Sequence, residues 1–303
     1  TFYLLDFNTG YNPVVDGNGN VVNGFYENVR KGLGLANNQY VDFDALNPDQ
    51  LNINMFSADE LVSNNLVAYY GFDANGEKYT GKATFKDFFT KKSGGNFTRE
   101  IDAFRPTYMA AYIQDNFAID NLNFNIGLRV DRFDANQKQL KDRYLLLDAY
   151  NVGNYPVAIS GRPGNIGDDF VPYIANPNDL SSVIGYRDGD VWYDASGQIV
   201  SNPDLIAQNS STGRAIPAEK DGAGSVGTED WNIDAVFKDY EPQIVVMPRV
   251  AFSFSITDQA QFFAHYDVLT QRPSTNLRND PSEYLQFLTN PDGTLNNAGL
   301  LPE

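Results

Sequence analysis

Asp188, Asp190 and Asp194, in the run RDGDVWYD, are the nearest approach in this chain to a hard-cation site. A calcium loop of the EF-hand type wants an oxygen ligand at about its fifth position and glycine at about its sixth. Trp192 and Tyr193 stand at those places, so the run predicts solvated turn carboxylates, with Ca2+ as the weaker alternative and no other cofactor. Gly167-Asp168-Asp169 is a poorer candidate still. His265 is the only histidine and there is no cysteine, which leaves little material for a Ser-His-Asp triad and none for a thiolate or multi-histidine metal centre. Among 39 acidic residues nothing singles out a glycosidase pair, so no enzyme is expected. Asn96-Phe97-Thr98 and Asn209-Ser210-Ser211 fit the glycosylation acceptor pattern, as chance allows in an Asn-rich chain. The remaining candidates are aromatic. Trp192, Tyr193 and Trp231, with Tyr186 and Tyr240 nearby, could stack on sugars or meet a partner protein; they could equally be small cores beneath a long connection.

What positions these residues is a pattern of alternating strands. Leu122, Phe124, Ile126, Leu128 and Val130 fall on one side of a strand, and Asn123, Asn125, Gly127, Arg129 and Asp131 on the other. The strand should pair with 107–119 through a tight turn at Asp120-Asn121. A second hairpin is expected from 248–256 and 261–270, turning at Thr257, Asp258 and Gln259. In it Val250, Phe252, Phe254 and Ile256 alternate with Arg249, Ala251, Ser253 and Ser255, and Phe262, Ala264, Tyr266 and Val268 share a face of the returning strand. Such a sheet faces either a second layer and water, or lipid and a polar lumen. In the lipid case Leu122, Phe124, Ile126, Leu128 and Val130 form the lipid face. Asn123, Asn125, Arg129, Asp131 and Arg249 form the lumen face, with Arg129, Asp131 and Arg249 in a charge network.

Composition bears on that choice. Aromatics make up 14% of the 303 residues, as suits a barrel with aromatic girdles. No run of about 18 apolar residues could form a spanning helix. A formal charge of -17 speaks against a nucleic-acid partner. The chain opens on TFYLLDFNTG with no signal-peptide pattern, which fits either a processed start or an internal piece of something longer.

The division expected along the chain is a loop region over 1–105, a barrel hairpin over 106–133, a long extracellular loop over 134–246, a second barrel hairpin over 247–270, and the start of another loop over 271–303. The loops should carry structure. Segments 15–21, 72–79 and 193–199 each place an Asp- and Gly-containing turn between β-type flanks. Ser57-Ala58-Asp59-Glu60 reads as a capping box opening a helix near 58–65, and 85–90 suggests a further helical turn. Short turns on one side and long connections on the other match outer-membrane barrels, but four strands are too few where about eight are the minimum. The fold class expected is therefore all-β: a segment of a large antiparallel transmembrane β-barrel with long, partly structured extracellular loops.

The same strands carry a resemblance. Phe104-Arg105-Pro106 leading into Ala110-Ala111-Tyr112-Ile113-Gln114-Asp115, then Asn125-Ile126-Gly127-Leu128-Arg129-Val130-Asp131, resembles the AxYxQD and GxR(F/V)D strand pair of TonB-dependent outer-membrane receptors of Bacteroidetes. Pro248-Arg249-Val250-Ala251-Phe252-Ser253-Phe254-Ser255 is similar to the family's following strand, and Phe262-Phe263-Ala264-His265-Tyr266 with Thr270-Gln271-Arg272-Pro273 to the strand and exit after it. The resemblance implies a middle portion of a 22-stranded barrel that takes up a nutrient (glycan, peptide or chelate) across the outer membrane of a Gram-negative bacterium. It further implies outer-membrane lipid around the barrel, coupling to the TonB complex through parts outside this chain, and, in SusC-like members, a SusD-like surface lipoprotein as lid. Two other readings stand beside it: a secreted or cell-surface β-domain for adhesion or carbohydrate binding, and a surface hydrolase.

Overall fold

The alternating segments do form strands, although the returning strand of the second hairpin ends at Asp267 rather than 270 and leaves Val268 beyond it. In the computed structural model, residues 14–15, 21–22, 24–36, 39–63, 65–271, 278–289 and 295 are described. Their strands in chain order are β1 (Val14–Val15), β2 (Val21–Val22), β3 (Lys92–Ser93), β4 (Asn96–Phe97), β5 (Thr107–Ile119), β6 (Leu122–Asp134), β7 (Lys138–Leu140), β8 (Val171–Asn176), β9 (Asp179–Asp188), β10 (Val191–Asp194), β11 (Ile199–Val200), β12 (Ile216–Pro217), β13 (Phe237–Asp239), β14 (Gln243–Thr257) and β15 (Ala260–Asp267). The α-helices are α1 (Phe25–Gly32), α2 (Ala58–Ser63), α3 (Asp87–Thr90), α4 (Asp204–Ala207), α5 (Ile233–Val236) and α6 (Pro281–Thr289). Strand outweighs helix, and the sheets are antiparallel. Among the described residues no sheet closes into a barrel.

The chain divides into two compact units. One holds residues up to Gln139 together with those from Asp239 onward; the other is Leu140–Lys238.

In the first unit, β15, β14, β6 and β5 lie side by side in that order, so the two expected hairpins are antiparallel neighbours. β14 begins at Gln243 rather than near 248, because Gln243 to Met247 find partners in Phe133 to Arg129. Asp120 takes a left-handed φ of 53° in the first tight turn, a conformation that Asp tolerates better than most residues. The second turn carries a bulge between Ser255 and Thr257. Ahead of the sheet, Ser57 and Glu60 close the capping box expected of α2, with Ser57 N–H donating to Glu60 Oε2 at 2.8 Å and Glu60 N–H to Ser57 Oγ at 3.3 Å. Glu60 also accepts from the Phe25 N–H at the start of α1, tying the two helices together. Phe88 and Phe89 of α3 are fully buried. Arg99 is buried beside them, donating to Asp59 and to the Phe88 carbonyl while lying over the Phe97 ring.

The stretch expected to be one long loop over 134–246 is instead mostly a unit with its own sheet, in the order β11-β10-β9-β8-β12. Both faces of this sheet are covered, which is why its sequence does not show the open alternation of β6. Val171, Tyr173 and Trp192 pack with Ile206 and Ala149 on one side; Tyr186 packs with Val152, Ile166 and Phe170 on the other. Two of the expected small hairpins share one device. In β10–β11, Asp194 Oδ1 accepts from the N–H groups of Ser196 (2.8 Å) and Gln198 (2.9 Å), while Gly197 supplies φ of +81°. At Phe72 to Lys78, Asp73 Oδ1 accepts from Asn75 and Glu77, and Gly76 supplies φ of +89°. The third is the β1–β2 pairing, whose turn lies outside the described residues.

Candidate functional site

Residues directly opposite one another in a sheet point to the same side, so the pairings define the two faces of the four-stranded sheet. Ile119, Leu122 and Phe254 with Phe262 make the first row from the tight turns. Phe117, Phe124, Phe252 and Ala264 make the second; Asp115, Ile126, Val250 and Tyr266 the third. Ile113, Leu128 and Pro248 follow, then Ala111, Val130 and Val246. In the next row Met109 and Ile244 flank Arg132, which pairs with Asp134 at 3.0 Å. Leu122, Phe124, Ile126, Leu128 and Val130 therefore do share one side.

Among the described residues nothing covers that side. Ile113 is 72% exposed, Leu128 42% and Val246 52%. The apolar stretch from Leu122 to Val130 runs ~27 Å at about 3.4 Å per residue. A tilt of about 40° would project it to ~21 Å, against the roughly 25 Å apolar band of an outer-membrane barrel. At the tight-turn end the rings form a continuous belt across the strands. Phe117 stacks on Phe124 at 5.1 Å between centroids, Phe124 reaches Phe252 at 6.3 Å, and Phe252 reaches Phe262 at 5.9 Å.

The opposite side carries Asn123, Asn125, Arg129, Asp131 and Arg249, as expected, and also Tyr108, Tyr112, Gln114, His265 and Asp267. Its charges form two groups rather than the single network expected. Arg129 Nε donates to Asp131 Oδ1 at 2.7 Å, and Tyr108 joins both side chains. Arg249 instead faces Asp267 directly across β14 and β15, with Nε to Oδ1 at 2.8 Å. The nearest cross-strand partner wins because β15 offers a carboxylate directly opposite, whereas Asp131 lies two rows along β6. Gln114 Nε2 donates to Asn125 Oδ1 at 3.0 Å. His265 shares the face with Asp267 but faces Ala251 across the ladder.

Beyond the far end of this sheet, within the same unit, lies a cleft of about 650 Å³ whose lining includes Lys82, Glu100, Arg105, Lys138, Asp239 and Arg278. Its charges are largely matched: Arg105 with Asp102, Lys138 with Asp239 and Glu100 with Lys91. Burial holds the Arg278 guanidinium below its ordinary value.

In the Leu140–Lys238 unit the expected contact residues are mostly interior. Trp192 is 6% exposed and Trp231 only 2%, so neither presents a ring to a ligand; they fill the small cores the sequence also allowed. Trp231 Nε1 donates to the Leu146 carbonyl at 2.8 Å, and its ring meets Phe237 edge-on. Tyr193, partly buried, lies against Phe170 at 5.2 Å on the face opposite Trp192. The strand alternation that made VWYD look presentable points one ring into each core.

The three carboxylates do not converge. Asp190 is paired with Arg143 at 2.5 Å. Asp194 caps its own turn, and the hydroxyl and backbone hydrogen bonds it accepts there hold its carboxyl below the usual range. Among the described residues no group of three His, Cys, Asp or Glu side chains could hold a metal ion. What sequence reasoning missed is Arg187. Its side chain is fully buried and donates to Tyr173 Oη (3.0 Å), the Gly189 carbonyl (2.8 Å) and Asp142 Oδ2 (2.5 Å), beneath the Tyr144 ring. Burial raises the Tyr173 phenol, with Arg187 working against the shift. Burial also pushes Tyr155, which donates to the Leu180 carbonyl, up to about 12. Arg187 sits next to Asp188 in an RDGD run that reads as a turn, and only pairing of β9 with β8 and β10 shows that it points inward.

No protein-family model, no curated protein and no solved structure matches this chain.

Proposed function

We propose that this chain is a middle stretch of the barrel of an outer-membrane receptor resembling the TonB-dependent class, working in nutrient uptake rather than chemistry. The observation that carries the reading is the uncovered apolar side of the four-stranded sheet, opposite a side laced with charge pairs. A contiguous apolar surface on a soluble monomer seldom exceeds a few hundred Å². Lipid against that side, and a watery lumen against the other, removes the difficulty.

Two further features support it. Both tight turns, at Asp120-Asn121 and Asp258-Gln259, lie at the same end of the sheet, as follows from the pairing of Leu122 with Phe254. The Phe belt sits at that end, where a barrel places an interfacial aromatic girdle. The long connection, with the Leu140–Lys238 unit in it, leaves from the opposite end. In this reading that end is extracellular and the unit belongs to the surface that recognises a ligand or a SusD-like lipoprotein. Coupling to TonB is assigned to segments outside this chain, as are the strands that close the barrel. The cargo in this reading is a nutrient (glycan, peptide or chelate), and uptake calls for no cofactor.

The test places arginine on each side of one strand in the full-length protein. An arginine facing lipid near the midplane costs about 2–4 kcal/mol, whereas a lumen position is wet. Phe124→Arg and Leu128→Arg should impair heat-modifiable gel mobility and membrane assembly far more than Asn125→Arg. Equal tolerance of all three would count against a lipid-facing sheet.

A further inference from the structure

Asp115 is out of place. It sits in the third of the five rows that make up the apolar side, in line with Ile126, Val250 and Tyr266. Its neighbours two residues away on β5 are Ile113 and Phe117, and the diagonal positions on β6 are Phe124 and Leu128. Asp115 is exposed, and no hydrogen bond or ion pair reaches its carboxylate among the described residues. A carboxylate in the middle of a lipid-facing band keeps its charge only with a partner, because hydrocarbon supplies neither hydration nor counter-charge.

Neither β6 nor the lipid headgroups can supply that partner. β6 occupies one edge of β5 and offers only apolar groups near Asp115 on this face; its Arg132 lies three rows away and is paired with Asp134. Among the described residues the other edge of β5 is open. Lipid headgroups are remote: Asp115 stands four residues in from Ile119, ~13 Å along the strand at about 3.3 Å per residue. A long basic side chain on an added strand meets both needs, since its aliphatic stem suits lipid while its head reaches the carboxylate.

We infer that the open edge of β5 pairs with a further strand carrying Lys or Arg in the position beside Asp115, and that this ion pair selects the strand and its register. The inference rests on the membrane reading above. A one-residue slip would turn the basic side chain to the lumen and strand Asp115 in lipid, so the pair discriminates between neighbouring registers.

The experiment compares the full-length protein with Asp115→Leu and Asp115→Asn, each extracted from native outer membranes into detergent, by urea-induced loss of heat-modifiable mobility. A partnered Asp115 predicts that both substitutions lower the urea midpoint, because each leaves a basic group unpaired in the apolar band. A lone lipid-facing carboxylate predicts the opposite sign for Asp115→Leu, which would then raise the midpoint by removing an unsolvated charge. Membrane-integrated protein made more stable by Asp115→Leu, or unchanged by both substitutions, overturns the inference while leaving the membrane reading intact. Protein that leaves the membrane fraction as a water-soluble species in all three forms overturns both.

Discussion

Removing the guanidinium of Arg187 should be the most damaging single change to the Leu140–Lys238 unit. Its side chain is only 2% exposed and engages a carboxylate, a phenol and a backbone carbonyl. Hydrogen bonds to charged groups contribute about 1.5–3 kcal/mol each, and breaking a buried ion pair by deleting one partner costs about 3–5 kcal/mol. The Asp142 side chain keeps 28% exposure, so water recovers part of its solvation and the lower end applies. Arg187→Ala is therefore expected to cost ~3 kcal/mol, a large share of the about 5–15 kcal/mol that a domain has in hand. With a urea slope near 1–1.5 kcal/mol per molar, the midpoint should fall by ~2–3 M. The assay is direct, because Trp192 and Trp231 are the only two tryptophans of the chain and both lie in this unit. Their fluorescence in the 303-residue chain, held in detergent micelles, follows this unit's unfolding. The double change Arg187→Met with Asp142→Leu should recover part of the loss, since it strands no charge. A midpoint shift below ~0.5 M for Arg187→Ala would refute the reasoning, showing that the desolvation of the guanidinium had cancelled its contacts.

Asp194→Ala should destabilise the β10–β11 turn at neutral pH. The folded-state pKa is lowered from its ordinary 3.8, so the contribution is present above that value and is lost as pH falls through the folded value. The gap in urea midpoint between the native protein and the variant should close in acid; a gap that widened there would contradict the turn hydrogen bonds. Gly224, at φ of +75°, has the Asp230 carbonyl against the place a Cβ would occupy. Gly224→Ala should cost more than about 1 kcal/mol and disturb the emission of the adjacent Trp231, and a neutral result would show that the 224–231 turn relaxes freely.

A good part of the long-stranded sheet is legible in the residues. The alternation over 122–130 and 250–256, the Asp120-Asn121 turn and the Ser57–Glu60 capping box are local signals, each spelled by side chains within a few positions, and each appears where its chemistry puts it. The face shared by Leu122, Phe124, Ile126, Leu128 and Val130 follows from the two-residue period alone. Of the Leu140–Lys238 unit, little beyond the 193–199 hairpin was legible. Its sheet is covered on both faces, so its strands lack the open alternation, and its core joins residues as distant as Ala149 and Ile206. Trp192 and Trp231 look presentable in sequence because aromatics serve cores and binding surfaces alike; only burial separates the two uses.

The sequence by itself determined which side chains share a face, where the hairpins turn, and that no thiolate centre exists. The tertiary structure decided what those faces meet. It turned Arg187 inward beneath Tyr144, drew Arg249 to Asp267 rather than Asp131, and left Asp115, among the described residues, without a partner in the middle of an apolar row. The physical reason is range. Periodicity and turn chemistry act between residues a few positions apart, whereas burial and charge pairing depend on which distant strand arrives alongside, and in what register.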